Sequence, residues 1–185
     1  MRKRPKLFQI IYVLLITILV AFGVITYKQP PPKNEKGIVS PTQKKQQVSL
    51  KQVERVIDGD TIVIEGNQTV RYIGIDTPET KHPTKGLQCF GKEASKKNIE
   101  LVEKKYVLLE KDVSEVDRYN RLLRYVWVYD TPIATGEGIF VNDYLVREGY
   151  ALASTFPPDV AYAEQFMTAQ QQAREFNKGL WKACQ

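Results

Sequence analysis

The chain has 185 residues, with 27 Lys and Arg against 21 Asp and Glu, 43% hydrophobic and 26% charged residues, and a formal charge of +6. That composition is globular and has room for one domain of about 100–150 residues. One histidine and two cysteines exclude multi-histidine metal sites, two-histidine acid–base pairs, and thiolate zinc or iron–sulfur centres. The charge is uneven: residues 1–48 carry nine cations and one anion, whereas residues 49–185 carry 18 cations and 20 anions. Net charge therefore gives the folded part no general attraction for polyanions, and any such site depends on local placement. Carboxylate, arginine and lysine are what the domain has in quantity, and they suit hard cations and phosphate.

In chain order, Arg2, Lys3, Arg4 and Lys6 precede an uncharged stretch from Leu7 to Tyr27 that is long enough to cross a bilayer. The cations before it are expected to keep the N-terminus in the cytoplasm and to place the rest of the chain outside the cell. Residues 1–27 are thus either an uncleaved single-pass membrane anchor, or a signal helix cleaved near Ala21-Phe22-Gly23 to give a secreted protein. Residues 28–48 hold Pro30, Pro31, Pro32 and Pro41 among lysines and glutamines, a composition expected to form an extended linker. The domain then spans residues 49–185.

Within it, Val53, Val56, Ile57, Ile62 and Ile64 predict two short strands around Asp58-Gly59-Asp60. Glu65-Gly66-Asn67-Gln68 is a turn, and Val70 to Ile75 a third strand. A helix is expected over Gly91–Lys105, with Asn98 a polar residue off the apolar pattern. Further strands cover Tyr106–Glu110 and Leu122–Tyr129. Val141–Glu148 is a short helix with Gly149 at its C-terminal cap. A last helix follows Pro157-Pro158, with Asp159 as N-cap, an apolar face of Tyr162, Phe166, Ala169, Ala173 and Phe176, and Gly179 at its end. Five strands with about three helices make an α+β domain suited to a small closed barrel.

Two clusters carry chemistry. Asp58-Gly59-Asp60-Thr61 and Asp76-Thr77-Pro78-Glu79 place four carboxylates on two turns, a concentration that is costly unless a cation neutralises it. Calcium suits such oxygen ligands, although Asp-Gly and Thr-Pro are also common turn chemistry. Arg71, Arg118 and Arg121 supply guanidinium forks that match phosphate oxygens. A salt bridge to a nearby carboxylate is the alternative for Arg71. Strict strand alternation puts Arg71 and Asp76 on opposite faces, and only a bulge at Gly74 would bring them together.

The motifs Ile57-Asp58-Gly59-Asp60-Thr61, Arg71, Asp76-Thr77-Pro78-Glu79-Thr80-Lys81-His82-Pro83 and Phe90-Gly91-Lys92-Glu93-Ala94-Ser95 resemble the staphylococcal nuclease family. So do Asp117-Arg118-Tyr119-Asn120-Arg121, Val141-Asn142, Leu145-Val146-Arg147-Glu148-Gly149 and Gly179-Leu180-Trp181. The resemblance is collinear over about residues 50–182. It implies a five-stranded OB-fold barrel with three helices, and calcium-dependent hydrolysis of DNA and RNA leaving 3′-phosphate ends. By position, Asp60 and Asp76 match the calcium carboxylates, and Thr77 the residue offering a backbone carbonyl. Glu79 matches the carboxylate that orients or deprotonates water, and Arg71 and Arg121 the phosphate-binding arginines. Tyr119, beside Arg118, matches an aromatic of the nucleotide pocket. Ala153-Ser154-Thr155-Phe156-Pro157 departs from the tyrosine-bearing loop usual there, which removes the expected stacking residue from that wall.

A monomer acting on DNA and RNA is expected. The alternative is a non-catalytic OB-fold nucleic-acid-binding module, a reading at odds with the presence of all six chemical positions. Cys89 and Cys184 are expected to form a disulfide in an exported domain, with Trp181 burying its ring so that the chain end returns to the domain.

Overall fold

The computed structural model describes residues 49–80 and 87–185; the expected anchor, the linker and the segment holding His82 lie outside them. Among the described residues, no helix is long and apolar enough to cross a membrane. The chain runs β1 (Lys51–Val56), β2 (Thr61–Ile64), β3 (Gln68–Tyr72), β4 (Ile75–Asp76), α1 (Gly91–Val102), β5 (Tyr106–Glu110) and β6 (Leu122–Tyr129). It ends with β7 (Ile139–Phe140), α2 (Val141–Arg147), β8 (Leu152–Ala153), α3 (Ala163–Glu175) and α4 (Leu180–Ala183).

Strands pair antiparallel in the order β3-β2-β1-β5-β6, and a parallel β3–β6 pairing closes the ring into a five-stranded barrel. Closure leaves none of the five without a partner on either side. The strand pattern follows from burial. All four residues of β2 are buried, so Ile62, Val63 and Ile64 follow one another without polar alternation. Val53, Ile62, Ile64, Val70, Tyr72, Val107 and Val126 meet Val102 of α1, Leu145 of α2 and Phe166 of α3 in one core. Each such side chain contributes about 1.5–3 kcal/mol through removal from water. The five-stranded barrel and its helices match the expected α+β architecture.

The expected third strand is two. Gly74 adopts φ 77° and ends the run, so β3 stops at Tyr72 and the chain turns before β4. A side chain there would come within 2.5 Å of the Phe166 ring, so this corner requires glycine for both conformation and space. β4 then pairs with β8 in a small separate ribbon. Short pairings of this kind leave no period-2 signature in sequence.

The helices agree in place and differ at their ends. α1 stops at Val102, three residues before the expected boundary, and Lys104 takes φ 62° as the chain enters β5. Asn98 is fully buried on the helix's inner face, not off it. The end of α2 is as expected, with Gly149 at φ 74° and its N–H donating to the Val146 carbonyl at 3.0 Å. Asp159 does not cap α3, which begins four residues later. It is 7% exposed and accepts the backbone N–H groups of Val113 (3.0 Å) and Ser114 (2.8 Å), bracing the loop before β6. Phe176 lies 71% exposed beyond the apolar face. Gly179 opens α4, while α3 ends at Glu175. Trp181 is only half-buried, with the Arg174 guanidinium 4.6 Å from its ring centre. The chain end is nevertheless held: Cys89 and Cys184 are bonded, with Cα atoms 5.9 Å apart.

One buried amide joins layers that hydrophobic packing alone would leave free to slide. Asn142 of α2 accepts the Val126 N–H of β6 at 2.9 Å and donates to the Ile73 carbonyl at 2.9 Å, beside the Gly74 corner. Replacing it by alanine leaves two backbone groups buried and unpaired, at about 1–3 kcal/mol each. Asn142→Ala should therefore lower the urea unfolding free energy by about 2–6 kcal/mol. A change below about 0.5 kcal/mol would show the amide to be dispensable.

Candidate metal and phosphate site

The two carboxylate turns emerge side by side at one end of the barrel. Gly59 makes that approach feasible: a side chain on it would lie 2.5 Å from Thr77 Oγ1. Asp60 is 4% exposed and Thr77 6%. Thr77 donates twice to Asp60 Oδ2, from its backbone N–H at 2.8 Å and its hydroxyl at 2.9 Å. The Thr61 hydroxyl donates to Asp60 Oδ1 at 3.2 Å. The carbonyl of Asp60 accepts the Tyr72 N–H at 3.0 Å, which fixes this turn to the barrel wall.

Arg71 spans the two turns. Its Nη2 donates to Asp76 Oδ1 at 2.8 Å, and its Nη1 lies 2.6 Å from Asp60 Oδ2, off the line of its N–H bonds. The Gly74 corner, rather than a slip in strand pairing, brings Arg71 and Asp76 to one side. Asp58 is pushed up to about 6 by burial first and by the neighbouring Asp60 charge second. Asp76 is raised as well, by desolvation, with Arg71 opposing and the charges of Asp60 and Glu79 adding.

An Asn98 network, which the sequence pattern does not reveal, supports these turns from beneath. Asn98 Nδ2 donates to the Asp58 carbonyl at 3.0 Å, and its Oδ1 accepts the Tyr72 hydroxyl at 2.9 Å. One side chain thus ties α1 to the first carboxylate turn and to the strand bearing Arg71. The sole sequence signal is a polar residue at a core position of the helical period.

Arg121 is oriented by Asp117. Arg121 Nε donates to Asp117 Oδ2 at 2.6 Å, while Asp117 Oδ1 accepts the backbone N–H groups of Tyr119 (2.8 Å) and Arg121 (3.0 Å). Burial would raise the Asp117 carboxyl, but the bonds from Arg121 and Tyr119 outweigh it and hold the group below its usual value. Arg118 and Arg121 flank the exposed Tyr119 ring at 4.7 and 5.4 Å. Arg71, Gly74, Arg118, Tyr119, Arg121 and Phe156 border one open cleft of about 500 Å³. Phe156, 74% exposed, borders the same cleft as Tyr119, so an aromatic ring stands on the segment that departs from the tyrosine-bearing loop. Glu79 is exposed on the same turn as Thr77.

The donor set fits a hard dication. Every candidate ligand is oxygen, and one guanidinium already reaches Asp60 and Asp76, so both carboxylates face one small volume. Among the described residues, no three His, Cys, Asp or Glu side chains converge on one point. An ion there would take its remaining ligands from backbone carbonyl, water and substrate oxygen.

The structure is thus a small closed barrel whose rim joins carboxylates, two oriented arginines and exposed aromatic rings. The model of the staphylococcal nuclease homologue family matches residues 69–183. A thermonuclease of Staphylococcus hyicus is 42% identical over 132 residues, covering 70% of this chain and 73% of that one. Endonuclease YncB of Bacillus subtilis (strain 168) is 38% identical over 157 residues, covering 82% and 66%. A thermonuclease of Staphylococcus intermedius is 38% identical over 133 residues, covering 70% and 74%. The chain belongs to the staphylococcal nuclease family.

The close nesting at Gly59 has a direct test. Gly59→Ala forces Thr77 away from Asp60 and should destabilise the protein by about 1–3 kcal/mol, read as a fall in thermal unfolding midpoint. An unchanged midpoint would mean that the turns tolerate wider spacing.

Proposed function

We propose that the protein is a calcium-dependent endonuclease that hydrolyses phosphodiester bonds in DNA and RNA, leaving 3′-phosphate ends. The observation that carries this reading is the carboxylate pair Asp60 and Asp76, linked by Arg71 at the edge of a cleft that Arg121 and Tyr119 share. The names of its relatives, thermonuclease and endonuclease, support the same class.

The Asp60 and Asp76 carboxylates and the Thr77 backbone carbonyl would hold calcium, which when bound supplies positive charge next to the phosphate oxygens. Arg71 and Arg121 bind the phosphate and stabilise the charge that develops in the pentacoordinate transition state. Asp117 keeps the Arg121 fork from wandering, so less rotamer entropy is lost on binding. Glu79, exposed and without a carboxylate partner among the described residues, takes a proton from the attacking water. The water oxygen bonds to phosphorus, the P–O5′ bond breaks, and the departing 5′-oxygen takes a proton from solvent to leave as a hydroxyl. Tyr119 and Phe156 offer stacking faces that do not discriminate among bases. A non-catalytic binding module would have no need of Glu79 or of an arginine held between two carboxylates.

The basic, apolar N-terminal sequence and the Cys89–Cys184 bond support export, with the domain outside the cell as a membrane-anchored or secreted form.

Nucleic acid should be degraded with calcium and left intact in excess EDTA, monitored by gel on single- and double-stranded DNA and on RNA; cleavage that persists in EDTA would overturn the metal assignment. Magnesium should support little turnover, because its tight octahedral shell suits a water-rich site poorly. Glu79→Gln and Arg121→Ala should each lower the rate on the order of 10²-fold or more. Wild-type turnover in either folded variant would remove that residue from the mechanism. Phe156→Ala should raise KM for single-stranded DNA about fivefold or more with kcat unchanged, as expected for one lost stacking contact; an unaltered KM would mean that bases do not reach that wall.

A further inference from the structure

The Glu79 carboxylate has no bonding partner among the described residues, so its position is inherited from its own backbone. Among the described residues, Gln88 bonds both polar groups of that backbone. Glu79 N–H donates to Gln88 Oε1 at 2.8 Å, and the Glu79 carbonyl accepts the Gln88 N–H at 3.0 Å. The same carbonyl rests over Gly91, where a side chain would lie 2.7 Å from it and 2.9 Å from the Pro78 carbonyl. Gln88 is itself fixed: its carbonyl accepts the Gly91 N–H at 3.2 Å at the start of α1. The next residue, Cys89, is bonded to Cys184 at the far end of the chain. Phe90 then adopts φ 68° with its ring 5.5 Å from that of Tyr150.

We propose that Gln88 is a positioning residue for Glu79, and that the Cys89–Cys184 bond keeps Gln88 in place. This inference rests on the nuclease reading, in which Glu79 is the base. A general base works only within hydrogen-bond reach of the proton it removes, and a displacement of about 1 Å is enough to cost up to 10²-fold in rate. Asp60, Asp76, Arg71 and Arg121 owe their placement to the barrel and to Asp117, not to Gln88. Loosening the Gln88 clamp should therefore impair turnover and spare substrate binding.

The test measures kcat and KM of the full chain on a fluorogenic oligonucleotide with calcium. Gln88→Ala should lower kcat about tenfold and leave KM within about twofold. Gln88→Glu, which keeps an acceptor oxygen for the Glu79 N–H, should recover most of that loss. Cys184→Ser, which removes the brace from the opposite end of the chain, should lower kcat in the same direction without raising KM, and it keeps the proposal testable if Gln88→Ala does not fold. In a Glu79→Gln background neither change should cost anything further, because the group being positioned is gone. Wild-type kcat in both folded variants, or losses that multiply with that of Glu79→Gln, would overturn the proposal. If Glu79→Gln itself keeps the wild-type rate, the nuclease mechanism fails as well; if Glu79→Gln is inactive and Gln88→Ala is normal, only the positioning role falls.

Discussion

A buried carboxylate at the end of an apolar strand has to be compensated, and the local structure is organised around how Asp60 achieves this. Two hydrogen bonds from Thr77 and the guanidinium of Arg71 converge on a single oxygen of a side chain that is 4% exposed. Those contacts set the distance between the two turns, require glycine at 59, and explain the corner at Gly74 that returns the chain toward Arg71. Burial first, and the Asp60 charge second, raise the Asp58 carboxyl, and burial raises Asp76 against the opposing charge of Arg71. Under the proposed function only two carboxylates engage the cation, so its affinity should be modest.

The arginines divide the work. Arg71 is bound up with the acids of the two turns, whereas Arg121 belongs to a self-contained turn that Asp117 organises through three donors. The cleft between them is bordered by the exposed Tyr119 and Phe156 rings as well as by arginine and aspartate side chains. Under the proposed function those rings would offer stacking faces without base-edge readout.

Sequence reading located the barrel strands and singled out Asp60, Arg71, Asp76 and Thr77, which the structure brings into contact, because their signals are local: short apolar runs punctuated by Asp-Gly, and motifs at fixed spacing. Several features escaped it for physical reasons. The meeting of Arg71 with Asp76 depends on a positive φ at Gly74, which alternation cannot anticipate. Asn98 and Asn142 look like interruptions of apolar patterns and are buried connectors whose partners lie 40 and 69 residues away in sequence. Asp159 follows two prolines as an N-cap would, yet its carboxylate is engaged by a loop more than 40 residues earlier. Short ribbons such as β4–β8 exist only because the barrel brings their ends together. The Cys89–Cys184 pairing was accessible because just two cysteines needed a partner.

Calcium titration by isothermal calorimetry, on the full chain alone and with a nucleotide 3′,5′-bisphosphate, tests the central claim most directly. One ion should bind weakly to the free protein and more tightly once phosphate completes its oxygen shell, and Asp60→Asn and Asp76→Asn should each abolish the signal. Binding that persists unchanged in folded Asp60→Asn would place the cation elsewhere and contradict the assignment.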